Sequence, residues 1–274
     1  MNASKILNRA RQVGPAALLL GSLFVILAAC GDDVIAPTES RDDTFVVGQS
    51  PRIVVSNDNG RVFVSPGSDG TVRVQTTLRK PDDVEYQTVQ EGDTVSVEAN
   101  AIEKGFGIFN LGDSPGADIE ITAPSATRIE LRTSNGSVEV QGMQRSGSLR
   151  TSNGSIRVED VKGDFDISTS NGAVTIARAV GSFDVETSNG RIEFDGELVR
   201  GGSNRMETSN GSVRVNLTGT PSVKIDASTV NGTVTTRLPI LTTSTGGGRH
   251  VVGTIGTGDA DLYARTTNGS VVVQ

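Results

Sequence analysis

The sequence predicts an all-β fold: a single β-solenoid, of parallel β-helix or β-roll type, with coils of about 18 residues. Three observations predict it. An octet built on Asn-Gly recurs seven times. Apolar residues alternate with polar ones on both sides of each Asn-Gly. The composition is rich in glycine (33 residues) and poor in large aromatics (8 Phe, 2 Tyr, no Trp), which suits a turn-rich β protein better than a helical one.

The octets begin at Thr133, Thr151, Thr169, Thr187, Thr208, Thr229 and Thr266, and their asparagines are Asn135, Asn153, Asn171, Asn189, Asn210, Asn231 and Asn268. Successive asparagines lie 18, 18, 18, 21, 21 and 37 residues apart. The longer periods take their extra residues near Arg200–Arg205 and Thr218–Ser222, never at the Asn-Gly. The 37-residue interval reads as two coils, the second without its Asn-Gly. Gly142, Gly163 and Gly181 supply a second turn in the period.

Within a copy such as Phe165–Ile176, Phe165, Ile167 and Thr169 share one face, and Val174 and Ile176 continue it. Such alternation marks strands with one buried side. Asn-Gly between two such runs is a turn signal, because both residues tolerate positive φ. Two arrangements satisfy the pattern: a hairpin meander, or coils stacked in parallel. Stacking is preferred because each coil then meets an identical neighbour, and a lone coil of this size cannot offset the entropy of ordering its backbone. Counting by twos from Leu149 through Thr151 places Asn153 on the inner side, so the expectation is an inward ladder of asparagine amides. On the outer face, Glu139 should lie beside Arg157 and Glu193 near Arg214. A merely solvated face is the alternative.

Residues 1–29 read as an export signal, with Lys5, Arg9 and Arg11 before a nearly apolar run from Ala16 to Ala29. A membrane-spanning anchor is the alternative that length alone leaves open. Leu27-Ala28-Ala29-Cys30 resembles the bacterial lipoprotein signal. That resemblance implies cleavage before Cys30, a diacylglycerol on its sulfur and an acylated amino terminus, a multi-chain anchor that holds a membrane stably. Cys30 is the only cysteine, so no intrachain disulfide can form. Gly31 rather than Asp follows it, which leans toward the outer rather than the inner membrane. Residues 30–44 read as the lipidated cysteine and a flexible tether reaching on the order of 20 Å. Residues 45–274 form one domain.

From Thr44 onward the grammar is the same but less regular, with a degenerate copy, Arg52–Val64, holding Asn57-Asp58-Asn59-Gly60. Val55–Gly60, Gly92-Asp93 with Val97, Ile121 with Pro124, the tandem octets, and Ile255–Gly258 followed by Thr266–Gly269 together resemble the bacterial putative-adhesin family of β-solenoid domains, related to head-GIN-type domains. The resemblance runs from about Phe45 to Gln274. It implies an adhesion or interaction role and carries over no site residues.

Chemistry is sparse. The net charge is −7, and without a basic cluster the chain has no footprint for nucleic acid. His250, the single histidine, has no partnered nucleophile and reads as a loop residue. Glu159, Asp160, Asp195 and Glu197 lie near the second turn but do not recur in other coils. They read as solvated acids; a glycan-cleaving β-helix enzyme is the competing view. The octet lacks the aspartate of calcium β-rolls, so neither metal nor cofactor is expected. Phe106, Ile108 and Phe109 form a candidate contact loop, or one that folds over an end of the stack. Ser270–Gln274 would be a bare edge, inviting self-association or an envelope partner. The leading reading is a non-catalytic, lipid-anchored envelope protein; the alternative is a stress-sensing or regulatory lipoprotein acting through a partner.

Overall fold

The computed structural model describes residues 37–102, 114–245 and 247–274. The signal segment, Cys30 and the Phe106, Ile108, Phe109 loop lie outside the described residues. The described chain is all-β, with one short 3-10 turn at Pro81–Asp83.

The first part contains β1 (Thr38–Val46), β2 (Arg52–Asn59), β3 (Val62–Pro66), β4 (Thr71–Arg79), β5 (Val84–Glu91), β6 (Thr94–Ala101) and β7 (Gly116–Ala123). The regular array follows as β8 (Arg128–Asn135), β9 (Val138–Gln141), β10 (Gly147–Asn153), β11 (Ile156–Glu159), β12 (Lys162–Asn171), β13 (Val174–Asn189), β14 (Ile192–Leu198), β15 (Ser203–Asn210) and β16 (Val213–Leu217). Last come β17 (Val223–Asn231), β18 (Val234–Thr236), β19 (Leu241–Thr245), β20 (His250–Ile255), β21 (Ala260–Asn268) and β22 (Val271–Val273).

Strands on either side of an Asn-Gly do not pair with each other. β8 pairs in parallel with β10, placing Asn135 against Asn153, and β9 pairs in parallel with β11. The same register continues through β12, β13 and β15 on one wall and through β13, β14 and β16 on the other. The Asn-Gly is therefore a corner between two walls, and each coil lies on the next in register.

The core fills the space between the walls. Leu131, Leu149, Ile167, Val185 and Met206 stack along one wall, and Val138, Ile156, Val174, Ile192 and Val213 along the other, all buried. Phe165 and Phe183 stack at 5.9 Å, and Phe183 meets Phe194 at 5.1 Å. Gly147 makes room for this stack, because a Cβ there would come within 2.9 Å of the Phe165 ring.

Both ends depart from a plain succession of coils. At the C-terminal end, β21 lies between β15 and β17, and β22 between β16 and β18. The last coil of the sequence is thus the second-to-last of the stack. Ser270–Gln274 is not a bare edge: Val271 and Val273 are fully buried, with a parallel neighbour on each side. The 37-residue interval is likewise not two coils. It holds β19 and β20, which form an antiparallel pair, and β20 covers β17. At the other end, β2 and β3 lie between β6–β7 and β8–β9, again out of chain order. There β5 and the antiparallel pair β1–β4 close the stack. Coils that share one inward pattern and one corner can stack in any order, so the connections decide the order. β1 takes up Thr38–Val46 and shows no apolar alternation over its first seven residues, because it lies exposed at the sheet edge.

Candidate interaction surface

The repeated corner is the most regular surface of the molecule. Its geometry begins with the threonine two residues before each asparagine. Thr133, Thr151, Thr169, Thr187, Thr208, Thr229 and Thr266 are buried. Their hydroxyls donate to the glycine carbonyl of the adjacent coil at 2.8–3.2 Å, as in Thr169 to Gly154 and Thr266 to Gly211. Buried carbonyls at a corner need a donor, and the hydroxyl supplies it. The first coil has Asn57 in this column, which donates to the carbonyls of Gly60 and Ala117.

The asparagines themselves form the expected ladder but on the other side. They are exposed. Asn135 donates its Nδ2 to Oδ1 of Asn59, and Asn153, Asn171, Asn189, Asn210, Asn268 and Asn231 follow in turn, each bonded to the one before at 2.8–2.9 Å. The counting argument fails at one residue. The paired register passes from Thr151 to Asn153 without Ser152, so the chain turns there and the alternation breaks. The inward ladder belongs to threonine, whose constancy at a core-facing position was the available signal.

Glycine follows for a reason other than positive φ. Among the described residues the non-glycine positions with positive φ are Lys80, Asp160 and Arg178, and no ladder asparagine is among them. Of the corner glycines, Gly60 and Gly269 have positive φ. The requirement is close approach: a Cβ on Gly154, Gly172 or Gly190 would stand 1.9 Å from the carbonyl oxygen of the glycine beneath. The second corner does use left-handed backbone. Gly142 there has φ 68°, and Asp160 and Arg178, at the equivalent places in the next two coils, have φ 55° and 53°.

The acids near that corner are engaged or separate. Asp160 receives two hydrogen bonds from Arg178, at 2.7 and 2.9 Å, and these hold its carboxyl below the usual range. Glu159 is paired with Arg178 and with Arg157. Asp195 accepts from Asn216, and the Ala177 strand lies between it and Glu159. His250 opens β20 rather than sitting in a loop, and its Nε2 lies 3.0 Å from Asp226, which also meets Arg265 at 3.3 Å. Among the described residues no hydroxyl or thiol is hydrogen-bonded to His250. No group of three metal-ligating side chains occurs among them either, and none of their helices could cross a membrane. On the outer wall, Arg214 meets Glu193 at 3.7 Å, and Glu139 lies beside Arg157 in the paired register as expected, although its ion pair is with Arg61.

The family described as Toastrack DUF4097 matches residues 113–274. The chain belongs to the Toastrack family. A putative adhesin from Bacteroides fragilis is 13% identical, with a TM-score of 0.52, covering 87% of this Toastrack chain and 97% of that one. It shares the fold. A putative adhesin from Parabacteroides distasonis is 12% identical, covering 86% and 97% of the two chains, with a TM-score of 0.40. A putative lipid binding protein from the same organism is 16% identical, covering 86% and 96%, with a TM-score of 0.38. No curated protein matches the Toastrack chain significantly.

Proposed function

We propose that this Toastrack protein is a lipid-anchored envelope protein whose body, one β-solenoid with displaced end coils, serves as a non-catalytic interaction or adhesion surface. The observation that carries the anchor is Leu27-Ala28-Ala29-Cys30 at the end of an apolar run. In this reading Cys30 holds the lipid, the residues between it and β1 join the lipid to the body, and the outer membrane is the address. The non-catalytic reading is supported by the acids of the second corner: Glu159 and Asp160 are bound by arginines, and the arginine bond to Asp160 keeps it ionised rather than raising it toward a general acid's range. Names of fold relatives that carry the word adhesin agree with this reading.

The test is fatty-acid labelling of cells expressing the wild type and Cys30→Ala, followed by membrane fractionation and a surface-attachment assay. The wild type should take up label, sediment with outer membranes and support attachment. Cys30→Ala should lose label and sedimentation together. Label retained without Cys30 would overturn the anchor, and attachment unchanged by deletion of the gene would overturn the adhesive role.

A further inference from the structure

Near the N-terminal end the outer wall is not a plain solvated face. A groove of about 500 Å³ opens there on β1, β3, β4 and β7, lined by Phe63, Gln75, Thr77, Glu120 and Arg61 among others. The register places Phe63, Glu120, Gln75 and Asp42 in one outward row across the four strands. The volume falls within the range of small-ligand pockets.

The charges of this groove are compensated with one exception. Asp42 is held by Arg73 through both oxygens. Asp118 accepts from the Arg61 backbone amide and from the Arg79 side chain. Arg41 is paired with Glu39 at 2.9 Å. Glu120 and Gln75, side by side on adjacent strands, have no side-chain partner among the described residues and are exposed. Adjacent strands stand about 4.8 Å apart, a spacing close to the breadth of a pyranose ring. Phe63 is half-buried beside them, at the position where the following coils carry Glu139, Arg157 and Thr175. Arg61 lies 4.9 Å over its ring. Arg61 also meets Glu139 at 3.5 Å, and both contacts are open to solvent, so a ligand can displace the guanidinium from the ring.

The geometry points to a binding site for a neutral oligosaccharide, one or two hexose units long, with Phe63 as the apolar platform and Glu120 and Gln75 as hydroxyl partners. This deepens the reading of the body as an interaction surface and rests on it. A carboxylate accepts from sugar hydroxyls and a carboxamide both donates and accepts, while the aromatic ring takes the apolar face of the sugar. An anionic ligand would face Glu120 unpaired. A cationic one would find one exposed carboxylate, Glu120, in a groove whose other acids, Asp42 and Asp118, are already held by arginines.

The test uses the full-length lipidated protein in a zwitterionic detergent that has no sugar headgroup. Cellotetraose and maltotetraose are titrated by calorimetry, with tetragalacturonate as the charged control. At least one neutral tetrasaccharide should bind saturably. Phe63→Ala and Glu120→Ala should each weaken that binding by about tenfold or more, while Tyr263→Ala, on the opposite wall, leaves it unchanged. Circular dichroism and the thermal midpoint of each variant establish that the fold is intact, and Glu120→Gln gives a second probe of the carboxylate without a change of size. Absence of saturable binding to both neutral sugars, binding indifferent to Phe63 and Glu120, or preference for the galacturonate would overturn the assignment. Labelling at Cys30 and cell attachment are read separately, so failure of the groove and failure of the anchored-adhesion reading are distinguishable.

Discussion

Asn268 donates its side-chain amide to Asn210 at 2.8 Å, although the two lie 58 residues apart in the chain. In turn it accepts from Asn231, which precedes it in sequence and follows it in the stack. The last coil is therefore an internal layer with a neighbour on each side.

Placing a charge in that layer should be severe. Val273 is fully buried between Val215 and Thr236. Val273→Asp leaves an unpaired carboxylate in the core and should cost at least about 3 kcal/mol, seen as a fall in the denaturation midpoint. A terminal strand on a free edge would tolerate it with little change, and that result would contradict the insertion of the last coil.

The two hydrogen-bonded columns at the corner should differ in weight. Thr169→Val removes the donor to the Gly154 carbonyl inside the corner and should cost about 1–3 kcal/mol. Asn171→Ala breaks two links of the exposed ladder, where water can replace them, and should cost about 0.5–1 kcal/mol. Denaturant titration of both variants gives the order, and the reverse order would make the outer ladder the main support.

Gly172→Ala separates two explanations of the corner glycine by sign. If only backbone freedom mattered, alanine at a φ that is not positive would stabilise by about 0.4–1 kcal/mol. Here its Cβ would lie 1.9 Å from the Gly154 oxygen. The expected outcome is a loss of about 3 kcal/mol or more, measured in the same titrations.

Tyr86 gives a pH dependence. Burial pushes its phenol up to about 12, against 10 in the unfolded chain, with the Thr76 hydroxyl bonded to it at 2.8 Å. A folded value above the unfolded one means that the contribution to stability is complete below pH 10 and is lost as pH rises toward 12. Ultraviolet difference titration should show a late phenolate phase near pH 12, and Tyr86→Phe should remove it.

Much of the body was legible because its information is local and repeated. The inward positions from Leu131 to Val273 follow from period-two alternation, and the 18-residue interval fixes which residues lie on which. The order of the coils was not legible. Copies that present the same valines, threonine and Asn-Gly are interchangeable as stacking partners, so nothing in the octet at Thr266 says that it sits under the octet at Thr229. The direction of Asn153 was lost at a single turning residue, Ser152. β1 escaped notice because an exposed edge strand needs no apolar face. The groove was missed because Phe63 reads alone as one aromatic among valines, and only the sheet brings Glu120 and Gln75 beside it.

The exposed amides all point the same way. Each Nδ2 faces the coil nearer the N-terminal end, from Asn231 down to Asn59, whose own Nδ2 reaches the carbonyl of Pro115 at 3.1 Å. Aligned amides polarise one another, and head-to-tail dipoles sum along their axis as they do in a helix. The rim of the molecule is thus electrically directional. Among the described residues it ends in an open acceptor, Oδ1 of Asn231, at the far pole of the stack, so an approaching cation or N–H group meets different ground at the two poles.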